Sequence, residues 1–333
     1  MSLTKRNHYN PCFWTALWNP SYYQAALEAR TKPGSHRCQE IATLNLVANR
    51  ILKTTVEHVH VEKALGIAEM TREAMLDFCK RRQPDLYDDF SRRMTDHPET
   101  LYLDFENILE GLESTLAYRT LRRVAIDQSL VSPLDKVHLA CFVVIHALRS
   151  HEVMTSMISN FADLGMQKFE YFWVLKNALA TNLLDRPVAM ISFSHWTLYR
   201  ADQHLLPLCD SPVMFGSRSL MVPLSPRLLL EIDLSVRTAP EQWAVRHGIP
   251  RNKQREFRRR SIDNSYRQIM FHDEQILRAW QARPEFRRRV EAIRDRQRYR
   301  HEIRKAAALV RWAADGFPGP HTHQTVGRVS EGA

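Results

Sequence analysis

The histidines, carboxylates and arginines of this chain are the side chains with chemistry to offer, and their spacing sorts them. His58-Val59-His60 and His321-Thr322-His323 are HxH pairs. On a helix, positions i and i+2 face different ways, so the first pair cannot readily share a metal. His195 and His204 flank a strand-and-turn segment with Asp202 and Asp210 nearby. Divalent cations use such His/Asp patches, yet this spacing matches no specific site. A divalent metal is therefore an open cofactor with no motif behind it. His146 and Arg149 lie three apart near the end of an apolar helix and share a face. Either the guanidinium is paired at the helix C-terminus, or the two side chains clamp an anion. Asp210-Ser211-Pro212 and Pro223-Leu224-Ser225-Pro226 follow strand-like runs and read by themselves as turns. No Walker loop, HExxH, GxSxG or GxGxxG is present, which leaves kinases, zincins, α/β-hydrolases and dinucleotide enzymes without motif support.

The elements that must position these groups start with an aromatic N-terminus, Asn7 to Pro20, dense enough in Trp, Tyr and Phe to be docked. Ile41, Leu44, Val47 and Ile51 recur at helical spacing, and helix resumes over Met70–Lys80. Phe105, Ile108, Leu109, Leu112 and Leu116 form an amphipathic stripe that Leu121 and Val124 continue. Ser132-Pro133-Leu134-Asp135 predicts a capped helix start, with a buried helix running to about Arg149. Helices are expected from Ser150 to Gly165 and over Met166–Asn182. After Asp185-Arg186-Pro187, short apolar runs alternate with Pro, Gly and Ser: Ala189–Phe193, Leu205–Leu208, Val213–Phe215, Leu220–Val222 and Leu228–Ile232. These predict strands, with Gln268–Phe271 returning as another. Phe286, Val290 and Ile293 open a last helical stripe, which Gln297 and Arg300 interrupt.

The expected fold is α+β: one mainly helical domain over residues 1–315, with a small antiparallel sheet around 188–235. A helical part (1–185) precedes the sheet, a basic helical part (246–312) follows it, and residues 316–333 form a Gly/Pro/Ser-containing disordered tail. The 333 residues include five scattered cysteines without a CxxC, so a disulfide or zinc framework is not indicated. No apolar run reaches the roughly 18 residues of a membrane helix, and no hydrophobic signal region follows the N-terminus. A cytoplasmic protein is expected. Charge is lopsided: Arg246–Arg311 carries 20 Lys/Arg against 8 Asp/Glu, a net of +12, while the whole chain carries +10. That segment could meet phosphates or another acidic partner.

Several scattered pieces together resemble the bacterial and phage family called domain of unknown function 4238. The segment Asn7-His8-Tyr9-Asn10-Pro11-Cys12-Phe13-Trp14 is similar to its His-His-Tyr-Val-Pro-Gln-Phe-Tyr opening. Ile145-His146-Ala147-Leu148-Arg149-Ser150 resembles its Gln-x-x-Arg-Thr helix. Cys209-Asp210-Ser211-Pro212-Val213 and Val222-Pro223-Leu224-Ser225-Pro226 resemble its Ser-Asp-Asn-Pro-Val and Phe-Pro-Leu-Ser-Pro segments, and Asn264 fits a later asparagine. Asn7, Cys12, His146 and Ser211 depart from the family pattern. The resemblance supplies no activity. It implies that His8, Arg149, Asp210, Ser225 and Asn264 meet in one pocket. There His8 would be a general base or ligand, Asp210 would orient it or bind a metal, and Arg149 would hold a phosphate. Ser225 and Asn264 would supply directional hydrogen bonds.

Two functions follow as expectations. One is an anion-binding pocket, in its sharpest form a phosphodiester hydrolase acting on nucleic acid, with His8 and Asp210 catalytic and His146, Arg149, Ser225 and Asn264 binding. The other is a non-catalytic module whose basic segment (246–311) docks nucleic acid or an acidic protein.

Overall fold

Ser132-Pro133-Leu134-Asp135 folds as its residue types dictate. Ser132 Oγ accepts the Asp135 N–H at 3.4 Å, and Asp135 Oδ2 accepts the N–H groups of Ser132 and Val131 at 3.1 and 2.6 Å. Pro133 fills the first helical position, where its missing N–H costs nothing. The helix it opens ends at Arg149. A computed structural model describes residues 6–8, 10–28, 36–46, 48–59, 61–63, 67–82, 84–95, 100–104, 115–150, 153, 184–203 and 206–294.

In chain order the helices are α1 (Cys12–Ala16), α2 (Pro20–Glu28), α3 (Arg72–Arg82), α4 (Tyr87–Met94), α5 (Leu116–Asp127), α6 (Pro133–Arg149), α7 (Asp185–Ser192), α8 (Arg251–Asn264), α9 (Glu274–Gln281) and α10 (Pro284–Arg294). The strands are β1 (Arg6–His8), β2 (Glu40–Asn45), β3 (Arg50–Thr55), β4 (Val61–Lys63), β5 (Ile67–Thr71), β6 (Thr100–Asp104), β7 (Ser194–Arg200), β8 (Leu208–Cys209), β9 (Met214–Phe215), β10 (Ser219–Ser225), β11 (Leu228–Arg237), β12 (Ala244–His247) and β13 (Gln268–Phe271).

One small sheet around 188–235 is not what forms. A five-stranded sheet runs β12-β7-β11-β10-β9, antiparallel except for the parallel β12–β7 pair, and a four-stranded antiparallel sheet runs β3-β2-β13-β8. Two-stranded ladders β1–β4 and β5–β6 are added. The second sheet arises where the spacing of Ile41, Leu44, Val47 and Ile51 suggests helix. Strands β2 (Glu40–Asn45) and β3 (Arg50–Thr55) instead pair antiparallel there. Asn45 Oδ1 accepts the Ala48 N–H at 2.9 Å, and Asn49 takes the left-handed conformation (φ 51°) that closes the turn. Ala189–Phe193 is likewise no strand: Asp185–Ser192 is helical, with Pro187 in its first turn. Gln268–Phe271 is a strand, but it joins the four-stranded sheet between β2 and β8.

Both sheets are covered on two faces. Trp196, Leu198, Leu220, Val222, Leu230 and Ile232 of the larger sheet pack with α1, α5, α6 and α7 in one core, which also takes Ile41 and Met270 from the smaller sheet. The opposite face presents Tyr199, Met221 and Leu229 to Phe257 of α8. Leu44, Cys209, Ile269 and Phe271 face Ile262, Trp280, Phe286 and Val290 of α8, α9 and α10. Burying each such leucine contributes about 2 kcal/mol. The rest of the 105–116 stripe up to residue 114, the helices expected over 154–182, Ile293's side chain, and all residues from 295, including the tail, lie outside the described residues.

Candidate functional site

The N-terminal segment is docked, as its aromatics predict, and it docks onto residues 206, 209 and 224. Asn10 Nδ2 donates to the Cys209 carbonyl at 3.0 Å. Pro223 brings no N–H to its ladder, and the β10–β11 register slips between Pro223 and Ser225. The bulge aims the Leu224 carbonyl off the ladder, where the Trp14 indole N–H takes it at 3.0 Å. Trp18 Nε1 donates to the Leu206 carbonyl at 2.8 Å. Tyr23 Oη and Ser225 Oγ lie 3.2 Å apart, and Gln128 Nε2 donates to Tyr23 Oη at 3.2 Å.

The candidate residues are mostly anchors of this arrangement. Asp210 is buried at 2% exposure. Its Oδ1 accepts the Tyr266 N–H at 2.7 Å, and its Oδ2 accepts the N–H groups of Arg267 and Gln268 at 2.5 and 2.9 Å. One carboxylate thus fixes the chain between α8 and β13. Ser225 is fully buried, and its Oγ also accepts the Arg227 N–H at 3.3 Å. Asn264 donates from Nδ2 to the Arg260 carbonyl at 2.8 Å, at the end of α8. His146 is buried against the rings of Trp14, Phe142 and Tyr118, with Nε2 3.0 Å from Tyr118 Oη. Burial, and then the Arg149 guanidinium, hold its pKa well below the ordinary value. His146 is therefore a neutral core imidazole, and buried Arg149 shares its helix face. His8 closes β1 opposite Val61, but its side chain lies outside the described residues.

The structure thus brings Asp210, Ser225 and His146 to the docked N-terminus and sets Asn264 two residues before the turn that Asp210 caps. None of them lines the cleft of about 400 Å³ bounded by Asn19, Glu40, Lys53, His272, Asp273 and Glu274. His195 pairs in register with Asp233 across β7 and β11, and His204 lies outside the described residues. Among the described residues, no group of three or more His, Cys, Asp or Glu side chains is arranged to hold a metal.

Helix α8 carries a second feature, which the charge count announces and only the geometry resolves. Its inner cations are spent on the sheet. Lys253 Nζ pairs with Glu231 and lies 3.4 Å from Glu256, and Arg260 pairs with Glu256 and donates to Ser219 Oγ at 3.0 Å. Tyr199 Oη donates to Glu231 at 2.9 Å; burial first, then Glu231, push the tyrosine pKa up to about 12. Burial pulls the Lys253 pKa down, but Glu231 and Glu256 more than reverse this and leave it raised. The outer cations are not spent. Arg251, Arg255 and Arg259 recur four apart on one exposed face, beside half-buried Arg258. Arg246 on β12 and Arg283, Arg287 and Arg288 at α10 are exposed nearby in the chain. Among the described residues, no carboxylate pairs with Arg251, Arg255, Arg258, Arg259, Arg283 or Arg287. The signal available in the sequence was the 3.6-residue period within Arg251–Asn264, which sorts the cations into inner and outer sets.

No family model, curated protein or solved structure matches the chain.

Proposed function

We propose that the protein is a non-catalytic nucleic-acid-binding module that uses the outer face of α8 and the adjoining start of α10. The observation that carries this is the division of cations on α8. Those facing the sheet are neutralised by Glu231 and Glu256, and those facing solvent keep their charge. Arg251, Arg255 and Arg259 are spaced about 6 Å apart along the axis at 1.5 Å per residue, a row suited to a repeating phosphate backbone. The row is arginine throughout, and arginine grips phosphate oxygens through two parallel N–H donors. A lipid surface would need apolar anchors among the cations, whereas the exposed companion on this face is Asn252.

The hydrolase reading draws less support. The carboxylate expected to act in it has both oxygens committed to backbone N–H groups, and the arginine and histidine expected to clamp an anion are core residues. Among the described residues, no helix is long and apolar enough to cross a membrane. No disulfide joins the five cysteines, and the proposal places the protein in the cytoplasm, where nucleic acid is at hand and thiols stay reduced.

Fluorescence anisotropy with a labelled 20-base-pair duplex tests this. Binding should weaken steeply between 50 and 200 mM salt, with log K falling linearly against log salt. A duplex that fails to bind at 50 mM salt, or binds without salt dependence, refutes the proposal.

A further inference from the structure

We infer that Arg258 and Arg283 form a two-arginine seat for one phosphate group; the inference rests on the binding face just proposed and names the point where that face grips. The two residues come from different elements that an apolar cluster locks together. Arg258 stands one turn before Ile262 on α8, and Arg283 stands immediately before Pro284, which opens α10. Ile262, Trp280, Phe286 and Val290 pack as one cluster and fix α8 against α9 and α10. The backbone of Arg283 is held as well. Its N–H donates to the Trp280 carbonyl at 2.8 Å, and its own carbonyl accepts the Arg287 N–H at 3.3 Å. The backbone positions that carry the two guanidiniums are therefore fixed relative to each other.

Arg258 and Arg283 bring two like charges to this junction. Arg258 is half-buried and Arg283 exposed, and among the described residues neither has an ion-pair or hydrogen-bond partner for its side chain. Glu256, two residues before Arg258 in the chain, is engaged by Lys253 and Arg260, and neither Asp263 nor Glu285 makes an ion pair with Arg258 or Arg283. The guanidinium of Arg258 feels this arrangement: burial first and Arg283 second lower its pKa. A half-desolvated cation beside a like charge is costly when nothing offsets it. The inner face of the same helix shows how this fold treats cations it uses for packing, because Lys253 and Arg260 there each receive a carboxylate. The outer pair receives none. A phosphate bridging the two would accept N–H donors from both guanidiniums and relieve the repulsion. The neighbouring Arg259 and Arg287 would extend the grip to adjoining phosphates of the same strand.

Nε–Hε NMR of the full-length, ¹⁵N-labelled protein reads the seat directly, with inorganic phosphate as probe and chloride at equal ionic strength as control. The expected result is a saturable shift of the Arg258 and Arg283 signals together, with phosphate and not with chloride. Arg283→Gln should abolish the Arg258 response, and Arg186→Gln, at the exposed start of α7, should leave it. A shift shared equally by all exposed arginines, or an Arg258 response that persists in Arg283→Gln, overturns the seat. Duplex binding separates this from the broader proposal. The double variant Arg258→Gln/Arg283→Gln should bind at least tenfold more weakly at 100 mM salt, with the salt slope reduced by about 1. Undiminished duplex binding by the double variant removes the seat and leaves the face. A paired phosphate response in a protein that binds no duplex keeps the seat, removes the nucleic-acid reading, and assigns the site to a free phosphomonoester.

Discussion

Asp210→Asn is the substitution that decides whether this carboxylate is scaffold or machinery. The carboxylate accepts three main-chain N–H groups, from Tyr266, Arg267 and Gln268, at 2.7, 2.5 and 2.9 Å. An asparagine has one acceptor oxygen. In its best orientation the amide oxygen takes the Oδ2 place and keeps Arg267 and Gln268, while the NH₂ faces the Tyr266 N–H. Two bonds then lose their charge assistance, at about 1 kcal/mol each, and one donor is left unsatisfied, at about 1–3 kcal/mol. The sum is about 3–5 kcal/mol, a large part of the roughly 5–15 kcal/mol that holds a domain folded. Urea unfolding followed by tryptophan fluorescence should show this loss, and amide exchange at Tyr266, Arg267 and Gln268 should quicken. Asp210→Ala should cost more, since all three donors lose their acceptor. A stability within about 0.5 kcal/mol of the parent would refute the anchoring account and return Asp210 to the list of chemically active groups.

Three further substitutions test other parts of the fold. Lys136 is fully buried, donates to Thr238 Oγ1 and the Gln242 carbonyl, and has its pKa pulled by burial from 10.5 to about 8, against the opposing effect of Glu241. Between those values the unfolded chain binds more protons, so the parent should gain up to roughly 3 kcal/mol from pH 8 to 10.5 relative to Lys136→Met, measured by urea unfolding. His146 is held neutral well below 6.5, so the unfolded chain takes up its proton first as pH falls; the melting temperature of the parent should drop relative to His146→Phe from pH 7 to 5. Gly216 packs against the Arg260 guanidinium, and an added Cβ would lie 2.2 Å from Nη2. Gly216→Ala should therefore displace Arg260 from Ser219 and Glu256 and cost about 1–3 kcal/mol by thermal unfolding.

What the sequence makes legible follows from how local the deciding physics is. The Ser132-Pro133-Asp135 start of α6 is set by contacts within four residues, so it can be read directly. Strands β10 and β11 are long apolar runs because both faces of their sheet are covered, and they too can be read. The same double burial hides β2. Ile41, Thr43 and Leu44 are all buried, so the strict alternation that marks a strand is lost and a helical spacing survives by coincidence. The short run 189–193 is ambiguous between helix and strand for the same reason. Its neighbour β7 is legible in outline, as the strand segment between His195 and His204, but the polar residues around it blur its bounds. At the site, no local signal tells that the N-terminus will meet residues 209–211 and 222–226. No rule of spacing tells that Trp14 will find a carbonyl released by a bulge 210 residues away. The charge excess is legible by counting, but its division into spent and unspent arginines depends on Glu231 of β11, which only the tertiary fold brings to α8.

The salt dependence of duplex binding by Arg251→Gln/Arg255→Gln/Arg259→Gln measures the claim on which the functional account stands. These three side chains point away from the core, so melting should stay within a few degrees of the parent. The slope of log K against log salt should fall in magnitude by about 2.7, three phosphate contacts at 0.9 each. An unchanged slope and affinity in the folded triple variant would show that this face of α8 does not carry the binding.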